Sequence, residues 1–271
     1  MRNWWIRSER LRWLTLILVG LLGLWEISVW VTGVKSFILP APSHISREFA
    51  SAWGFFIGHA AYTTGTTLLG FAIAVVFGVA GAIGIVYSKV LNLLFSSLLV
   101  SLNSVPKVAL APLFVIWMGT GVEPKVAIVV MIAIFPIVID AVMGLKSIDP
   151  DMLNLSRACR ASAFKTLWKI RFPNALPSIF SGMKVGISFA LVGAIVGEFV
   201  AGSTGLGYVI LIAQGNFDTP RVFAALLLLG LIGTVLFYAV DLAESLCLPW
   251  HVSQRADQQA NPVAALGLGT R

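Results

Sequence analysis

Charged side chains are scarce in this chain of 271 residues. Asp, Glu, Lys and Arg together make up 11% of it, whereas hydrophobic residues make up 58%. Soluble domains carry about 25% charged residues, so a water-covered surface of ordinary composition is excluded. Lipid must cover the apolar side chains that no single core can bury. The scarcity of charge therefore predicts a polytopic membrane protein.

Histidine, cysteine and nucleotide-binding motifs are equally sparse. His44, His59 and His251 lie outside the long apolar runs and lack the spacing of a metal site. The two cysteines, Cys159 and Cys247, fall on the predicted cytosolic side, which favours reduced thiols over a disulfide. The Walker A pattern G-x-x-x-x-G-K-S/T does not occur. We therefore expect no catalytic residue, metal or cofactor in this chain.

Basic residues outnumber acidic ones, 19 to 12, and give a net charge of +7. They sit in short loops between apolar runs and form no continuous basic face, so nucleic-acid binding is excluded. Most of them share one side of the membrane if the N-terminus is cytosolic, which places both termini in the cytosol. The outer loops then hold only Lys35, Arg47, Lys125 and Arg221.

Long apolar runs predict an all-α protein with about six transmembrane helices, because a helix needs about 20 apolar residues to cross a bilayer. The third run is long and contains Pro106 and Pro112, which predict a kinked or broken helix. The first run is too long for a signal peptide and precedes no A-x-A-like site, so it is predicted to be an uncleaved helix. The six predicted spans are 13–33, 64–87, 91–118, 125–145, 178–200 and 222–246.

Three regions follow from this pattern. Residues 1–63 hold a cytosolic start, the first span and an outer amphipathic stretch at 34–63, where an interfacial helix is expected. Residues 64–250 form the membrane core and include a polar segment at 149–177. Residues 251–271 lack apolar periodicity and are predicted to be disordered.

Small residues recur along one face of two spans and predict close helix packing. In the second span they are Gly70, Ala74, Gly78 and Ala82, and in the fifth they are Gly182, Gly186, Ala190, Gly193 and Gly197.

Polar residues within the spans are candidates for a translocation path. Lys184 shares a face with Ser181 and Ser188, and it either faces a path or extends to the cytosolic headgroups. Glu198 precedes a glycine-rich loop, where it is a candidate gate or loop anchor. Asn103 and Ser104 either line a path or satisfy backbone groups that Pro106 frees, and Lys107 is a further path candidate.

The polar segment (residues 149–177) begins with a strong helix start. Asp149 suits a cap, Pro150 suits the first turn, and Asp151 complements the positive end of a helix. A second helical pattern follows, with aromatic Phe164 and Trp168 on one face. These patterns fit two arrangements: docking in the groove of a cytosolic partner, or lying on anionic lipid.

The polar segment resembles the EAA loop of ABC importer permeases, E-A-A-x-x-x-G-A followed by P-x-A-L-P. Residues 173–177 (PNALP) match its end. Asn154, Leu155 and Ser156 occupy the E-A-A positions, Arg160 the glycine position and Ala161 the following alanine, so the first half departs from the motif.

Three further segments resemble the nitrate, sulfonate and taurine type of permease, and the resemblance runs from about Trp25 to Trp250. They are LPAPSHI (39–45), VPKVALAPLFVIWMGTGVEPKV (105–126) and GAIVGEFVAGSTGLGYVI (193–210).

This resemblance implies a type I ABC importer permease with the MetI-like fold, located in the bacterial inner membrane. Two copies would form the pore, and two ATPase subunits that bind ATP and Mg would dock on the polar segment. A periplasmic or lipid-anchored binding protein would deliver a nitrate-, sulfonate- or taurine-like anion, or a small heterocyclic or aromatic compound. The residues expected to couple to the ATPase are Asn154, Leu155, Ser156, Arg157, Ala158, Arg160, Ala161, Ser162, Phe164, Pro173 and Pro177.

Two other classes of membrane protein fit the sequence less well. A secondary transporter or channel would need inverted repeats or coupled ion sites, and the sequence has neither pattern. An intramembrane enzyme would need a second acidic motif beside Asp241 and Glu244, which share one helical face.

Overall fold

The computed structural model describes residues 2–95 and 106–248, and every regular element among them is helical. Residues 89–95 are helical, a 3-10 helix covers Lys107–Leu110, and a π-helix covers Leu167–Arg171. The all-α prediction is confirmed. We number the α-helices α1 Arg2–Thr32, α2 Pro42–Ser51, α3 Trp53–Tyr87, α4 Ala111–Met118, α5 Glu123–Lys146, α6 Pro150–Ala158, α7 Ala163–Thr166, α8 Phe172–Ala201, α9 Leu206–Gly215 and α10 Thr219–Cys247.

Four helical segments of the described residues are long and apolar enough to cross a membrane. They are Trp53–Tyr87, Glu123–Lys146, Ala163–Ala201 and Thr219–Cys247. These segments contain the second, fourth, fifth and sixth predicted spans. The first predicted span lies in α1, whose apolar part Leu16–Thr32 is shorter than the other four.

The third predicted span, 91–118, is not one continuous helix. Pro106 is not helical, and a 3-10 turn and the eight residues of α4 follow it. The predicted break at Pro106 is therefore confirmed. Pro112 also lies at an interruption, because the 3-10 helix ends at Leu110 and Pro112 is in the first turn of α4, where no backbone donor is required.

Pro173 and Pro177, near the end of the polar segment, lie in a helix. Pro173 is in the first turn of α8 and Pro177 is inside it, so the continuous helical segment that contains the fifth predicted span begins at Ala163, upstream of the predicted start at 178. Pro173 has no backbone N–H to donate. The π-helix immediately before α8 spaces its backbone hydrogen bonds differently from an α-helix, so the helical segment continues past this proline.

Two groups of described residues form compact units. In one, residues 1–62 and 203–230, the Arg221 guanidinium donates to Glu48 Oε1 at 2.7 and 2.9 Å. The expected helix of the outer stretch is α2 in this unit, while residues 53–63 belong to α3 instead. The other unit, residues 63–202 and 231–271, contains the glycine-rich helix faces.

Helix α5 packs between the small-residue faces of α3 and α8. Ile137 is fully buried and would meet a Cβ added at Gly78 or at Gly186, in both cases at 2.9 Å. Val129 lies between Gly70 and Gly193 in the same way. The predicted close packing is confirmed, and its shared partner is α5.

Gly193→Leu is expected to lower the stability of the protein by about 3 kcal/mol or more, because overpacking against backbone cannot be relieved by a rotamer change. A Cβ at Gly193 would lie 2.9 Å from the Val129 Cα. Thermal unfolding in detergent measures the effect. Gly81→Leu is the matched control, because no atom lies within 4 Å of its added Cβ. Equal melting temperatures for the two variants would contradict the packing argument.

Candidate functional site

The polar segment begins as its sequence predicts. The Asp149 side chain accepts a hydrogen bond from the Asp151 amide at 2.9 Å, and Pro150 occupies the first turn of α6. This cap satisfies one of the free donors at the helix start. The register of α6, and with it the positions of its exposed side chains, is thereby fixed.

Helix α6 ends in a Schellman motif. The Arg160 amide donates to the Arg157 carbonyl at 2.9 Å, and the Ala161 amide donates to the Ser156 carbonyl at 3.0 Å. Arg160 is the left-handed residue of this motif, with φ of 51°. That conformation costs a residue other than glycine about 1–2 kcal/mol, and glycine is the usual occupant.

Two hydroxyl contacts connect α6 to the helix that follows. Ser162 caps α7 by accepting from the Lys165 amide at 3.3 Å. The hydroxyls of Ser156 and Thr166 lie 2.7 Å apart, and Ser156 is buried. These contacts hold the two short helices of the polar segment, α6 and α7, together.

Side chains from the polar segment and from α3 also connect these two short helices to the membrane-spanning helices. The Tyr87 hydroxyl at the end of α3 donates to the Ala163 carbonyl at 3.1 Å. Arg171 donates to the Leu145 carbonyl of α5 at 2.9 Å and lies over the Tyr87 ring, 5.7 Å from its centroid. A cavity of about 320 Å³ remains between these groups, and its lining includes Arg157 and Ala161.

The predicted coupling residues are mostly available to a partner. Ser156 is buried, Ala161 is half-buried, and Pro173 and Pro177 belong to α8, not to a loop. Large apolar side chains are exposed beside them, with Phe164 at 70% and Leu155 at 59%. The exposed members of the predicted set are Asn154, Leu155, Arg157, Ala158, Arg160, Ser162 and Phe164.

Lys184 pairs with the two carboxylates of α10 that share one helical face. Its Nζ contacts Asp241 Oδ1 and lies 2.5 Å from Glu244 Oε2. The Glu244 side chain is 4% exposed and that of Asp241 is 45% exposed. The sequence shows both acids on one face, but only the fold brings them to the lysine.

Glu198 lies in a buried polar cluster with residues of α3 and α5. It is fully buried and accepts from the Thr63 hydroxyl at 2.8 Å. Lys125 is 2% exposed, and its side chain packs against Gly197, which precedes Glu198 in the sequence. The assignment of Lys125 to an outer loop is wrong, because α5 begins before it, at Glu123.

The remaining path candidates are dispersed. Ser181 and Ser188 are exposed on α8, and Ser188 donates to the Lys184 carbonyl at 3.3 Å. The Lys107 ammonium lies 4.3 Å from the centroid of the Phe135 ring. Asn103 and Ser104 lie outside the described residues, as does the tail 251–271.

Comparison with known families decides the class of this protein. Residues 71–246, more than half of the chain, match the model of the family described as "Binding-protein-dependent transport system inner membrane component". The chain belongs to this family. It is a multi-pass inner-membrane permease of the type I ABC importer class, as the EAA-like segment indicated.

Relatives of this permease cover nearly its whole length. It is 34% identical to the riboflavin transport system permease protein RibX of Chloroflexus aurantiacus, over 92% of this chain and 95% of that protein. It is 32% identical to the formylaminopyrimidine transport permease protein ThiX of Halalkalibacterium halodurans, over 89% and 96%. Proteins named for sulfonate, taurine and nitrate transport also match, at 25 to 28% identity.

A solved structure has the same fold as this permease. A chain from the inward-facing MetNI methionine ABC transporter superposes with a TM-score of 0.63, covering 72% of this chain and 96% of that one. The two sequences are 17% identical, so the likeness concerns the fold alone. The expected MetI-like architecture is confirmed.

Thr63→Val is expected to destabilise the permease by about 1.5–3 kcal/mol, because the buried Glu198 carboxylate loses one hydrogen-bond donor. Thermal unfolding in detergent gives the size of the loss. Thr64→Val is the matched control, since the neighbouring Thr64 is half-buried and lies next to Thr63 in α3. If the two variants have the same melting temperature, the hydrogen bond between Thr63 and Glu198 makes no measurable contribution to stability.

Proposed function

We propose that two copies of this permease form the pathway of an ATP-driven importer and that two ATPase subunits dock on the polar segment. The membership of residues 71–246 in a family of binding-protein-dependent transport components carries this proposal. The ATPases bind ATP and Mg and supply the hydrolysis, since the permease sequence has no Walker A pattern. A binding protein, periplasmic or lipid-anchored, delivers the solute to the outer side.

The contacts of the polar segment support its role in transmitting movement. Tyr87 connects it to α3, Arg171 connects it to α5, and the chain continues without a break into α8. A displacement of the short helices by the ATPases is therefore passed to three spans together. Discrete packed arrangements of helices convert such a displacement into a change of access.

We further propose that the solute is a small heterocyclic compound, not an inorganic or sulfonate anion. The relatives with 32 and 34% identity are named for formylaminopyrimidine and riboflavin transport. Lys184, the span lysine that could attract an anion, has two carboxylates beside it, so its charge is compensated within the protein.

The same proposal places both termini in the cytosol. The polar segment then lies on the basic side of the membrane, where the ATPases are, and α2 lies on the outer side. Cytosolic docking and outer delivery consequently use opposite faces of the chain.

Reconstitution tests this function. The permease is combined in liposomes with a candidate ATPase and binding protein from the same organism, and uptake of labelled riboflavin and an aminopyrimidine is compared with that of taurine and nitrate. We expect ATP-dependent uptake of a heterocycle and no uptake without the ATPase. Uptake that persists without the ATPase would favour a secondary transporter, and uptake of taurine or nitrate alone would contradict the proposed solute class.

A further inference from the structure

Arg160 occupies a backbone position that is unfavourable for its residue type. Its φ of 51° lies in the left-handed region, at the turn that closes α6. Glycine adopts this conformation without steric conflict, and the ABC permease motif that the segment resembles has glycine here. An arginine at this position lowers the stability of the turn, so its side chain needs another explanation.

No contact within the described residues explains that side chain. Arg160 is exposed, and its backbone amide, but not its guanidinium, takes part in a hydrogen bond among residues 2–95 and 106–248. By contrast, the guanidinium of Arg171 donates to the Leu145 carbonyl. The backbone conformation is therefore maintained by the Schellman motif, while the charged group is presented to the exterior.

We propose that Arg160 forms a charge-assisted hydrogen bond with an acidic side chain of the docked ATPase. This inference rests on the proposed docking of the ATPase on the polar segment. A guanidinium presents a rigid fork of donors that matches a carboxylate, and such contacts depend on an accurately placed backbone. This contact is additional to those of the shared motif. It discriminates between ATPase subunits that have the acidic side chain and those that lack it.

A protein carboxylate explains the position better than an anionic lipid does. Attraction to a lipid surface depends on the number of basic residues, not on their exact placement. Arg157, Lys165 and Lys169 already supply positive charge from helical positions with ordinary backbone conformations. A basic residue with a left-handed backbone attracts anionic lipid no more strongly than a basic residue at a neighbouring helical position would.

The test combines two measurements on Arg160→Gly. The full-length permease is purified in detergent without anionic lipid, and its melting temperature and its affinity for the purified ATPase subunit are determined. We expect the melting temperature to rise by a few degrees, because glycine relieves the backbone conflict. The affinity is expected to fall about 10-fold or more, because a charge-assisted contact is lost. A purely structural role would move both values in the same direction.

Lys89→Ala is the matched control, since Lys89 is an exposed basic residue outside the polar segment. An affinity loss in Lys89→Ala equal to that in Arg160→Gly would overturn the proposal, because it would indicate unspecific charge attraction. Unchanged affinity in Arg160→Gly would overturn it as well. So would a loss that occurs only in liposomes with anionic lipid.

A third variant separates this inference from the docking proposal. Ala161→Glu tests whether the ATPase uses the segment at all. If Ala161→Glu eliminates ATPase binding and Arg160→Gly has no effect, the arginine contact alone is wrong. If neither variant affects binding, the docking proposal fails, and the arginine contact fails with it.

Discussion

Ala161→Glu is expected to abolish ATP-driven transport while the variant still inserts into the membrane. Ala161 is half-buried, lines the cavity of the polar segment, and donates its amide to the end of α6. A carboxylate that becomes buried without a partner in an interface costs about 3–5 kcal/mol, which corresponds to more than a 100-fold loss of ATPase affinity. The small side chain of alanine permits the close backbone approach that docking requires.

Uptake and ATPase activity in liposomes measure this loss, and protease accessibility of the membrane-inserted protein verifies insertion. Lys89→Glu is the control, because it also introduces a carboxylate at an exposed position, outside the polar segment. We expect that control to transport within about twofold of the parent, as exposed charges interact weakly. Transport at the parental rate in Ala161→Glu would remove the polar segment from the coupling mechanism.

The parts of the fold that depend on local pattern were predictable from the sequence. Small residues at intervals of three or four in the second and fifth spans predicted close packing, and Asp149 followed by Pro150 predicted the start of α6. Both signals act over one or two helical turns, so neighbouring residues suffice to read them. The length of the fifth span was not predictable in this way, because a π-helix accommodates a proline that usually ends a helix.

Long-range contacts could not be derived from the sequence. Lys125 lies near the end of an apolar run, where a loop position fits the pattern equally well, and only the approach of Gly197 shows that it is buried. The pairing of Thr63 with Glu198 joins residues 135 positions apart. No periodicity within either helix reports which other helix lies beside it.

The left-handed helix ends show a second kind of missed feature. Sequence rules place such ends at glycine or asparagine. In this permease the left-handed residue after α6 is Arg160 and the one after α9 is Phe217, with φ of 51° and 56°. Neither residue type signals a left-handed backbone, so both ends become visible only in the structure. For Arg160, the resemblance to a motif with glycine at that position was the available signal.

Lys184→Met is expected to destabilise the permease by about 3 kcal/mol, because it removes the cation that contacts the buried carboxylate of Glu244. The variant would leave Glu244, whose side chain is 4% exposed, beside Asp241 without the lysine that lies between them. An uncompensated carboxylate within a span is unfavourable in lipid as well as in a protein core. Thermal unfolding in detergent measures the loss.

The double variant Lys184→Met/Glu244→Gln decides between a structural and a transport role for this lysine. Neutralising Glu244 removes the buried charge that contacts Lys184 in the parent, so we expect the double variant to regain most of the lost stability, and a double-mutant cycle gives the coupling. Asp241→Asn alone is the control, with a small effect expected because that side chain is 45% exposed and Glu244 still compensates the lysine. Failure of Glu244→Gln to restore stability would contradict the ion-pair argument. A stable double variant that transports the solute assigns Lys184 to helix pairing, whereas a stable variant without transport assigns it to the path.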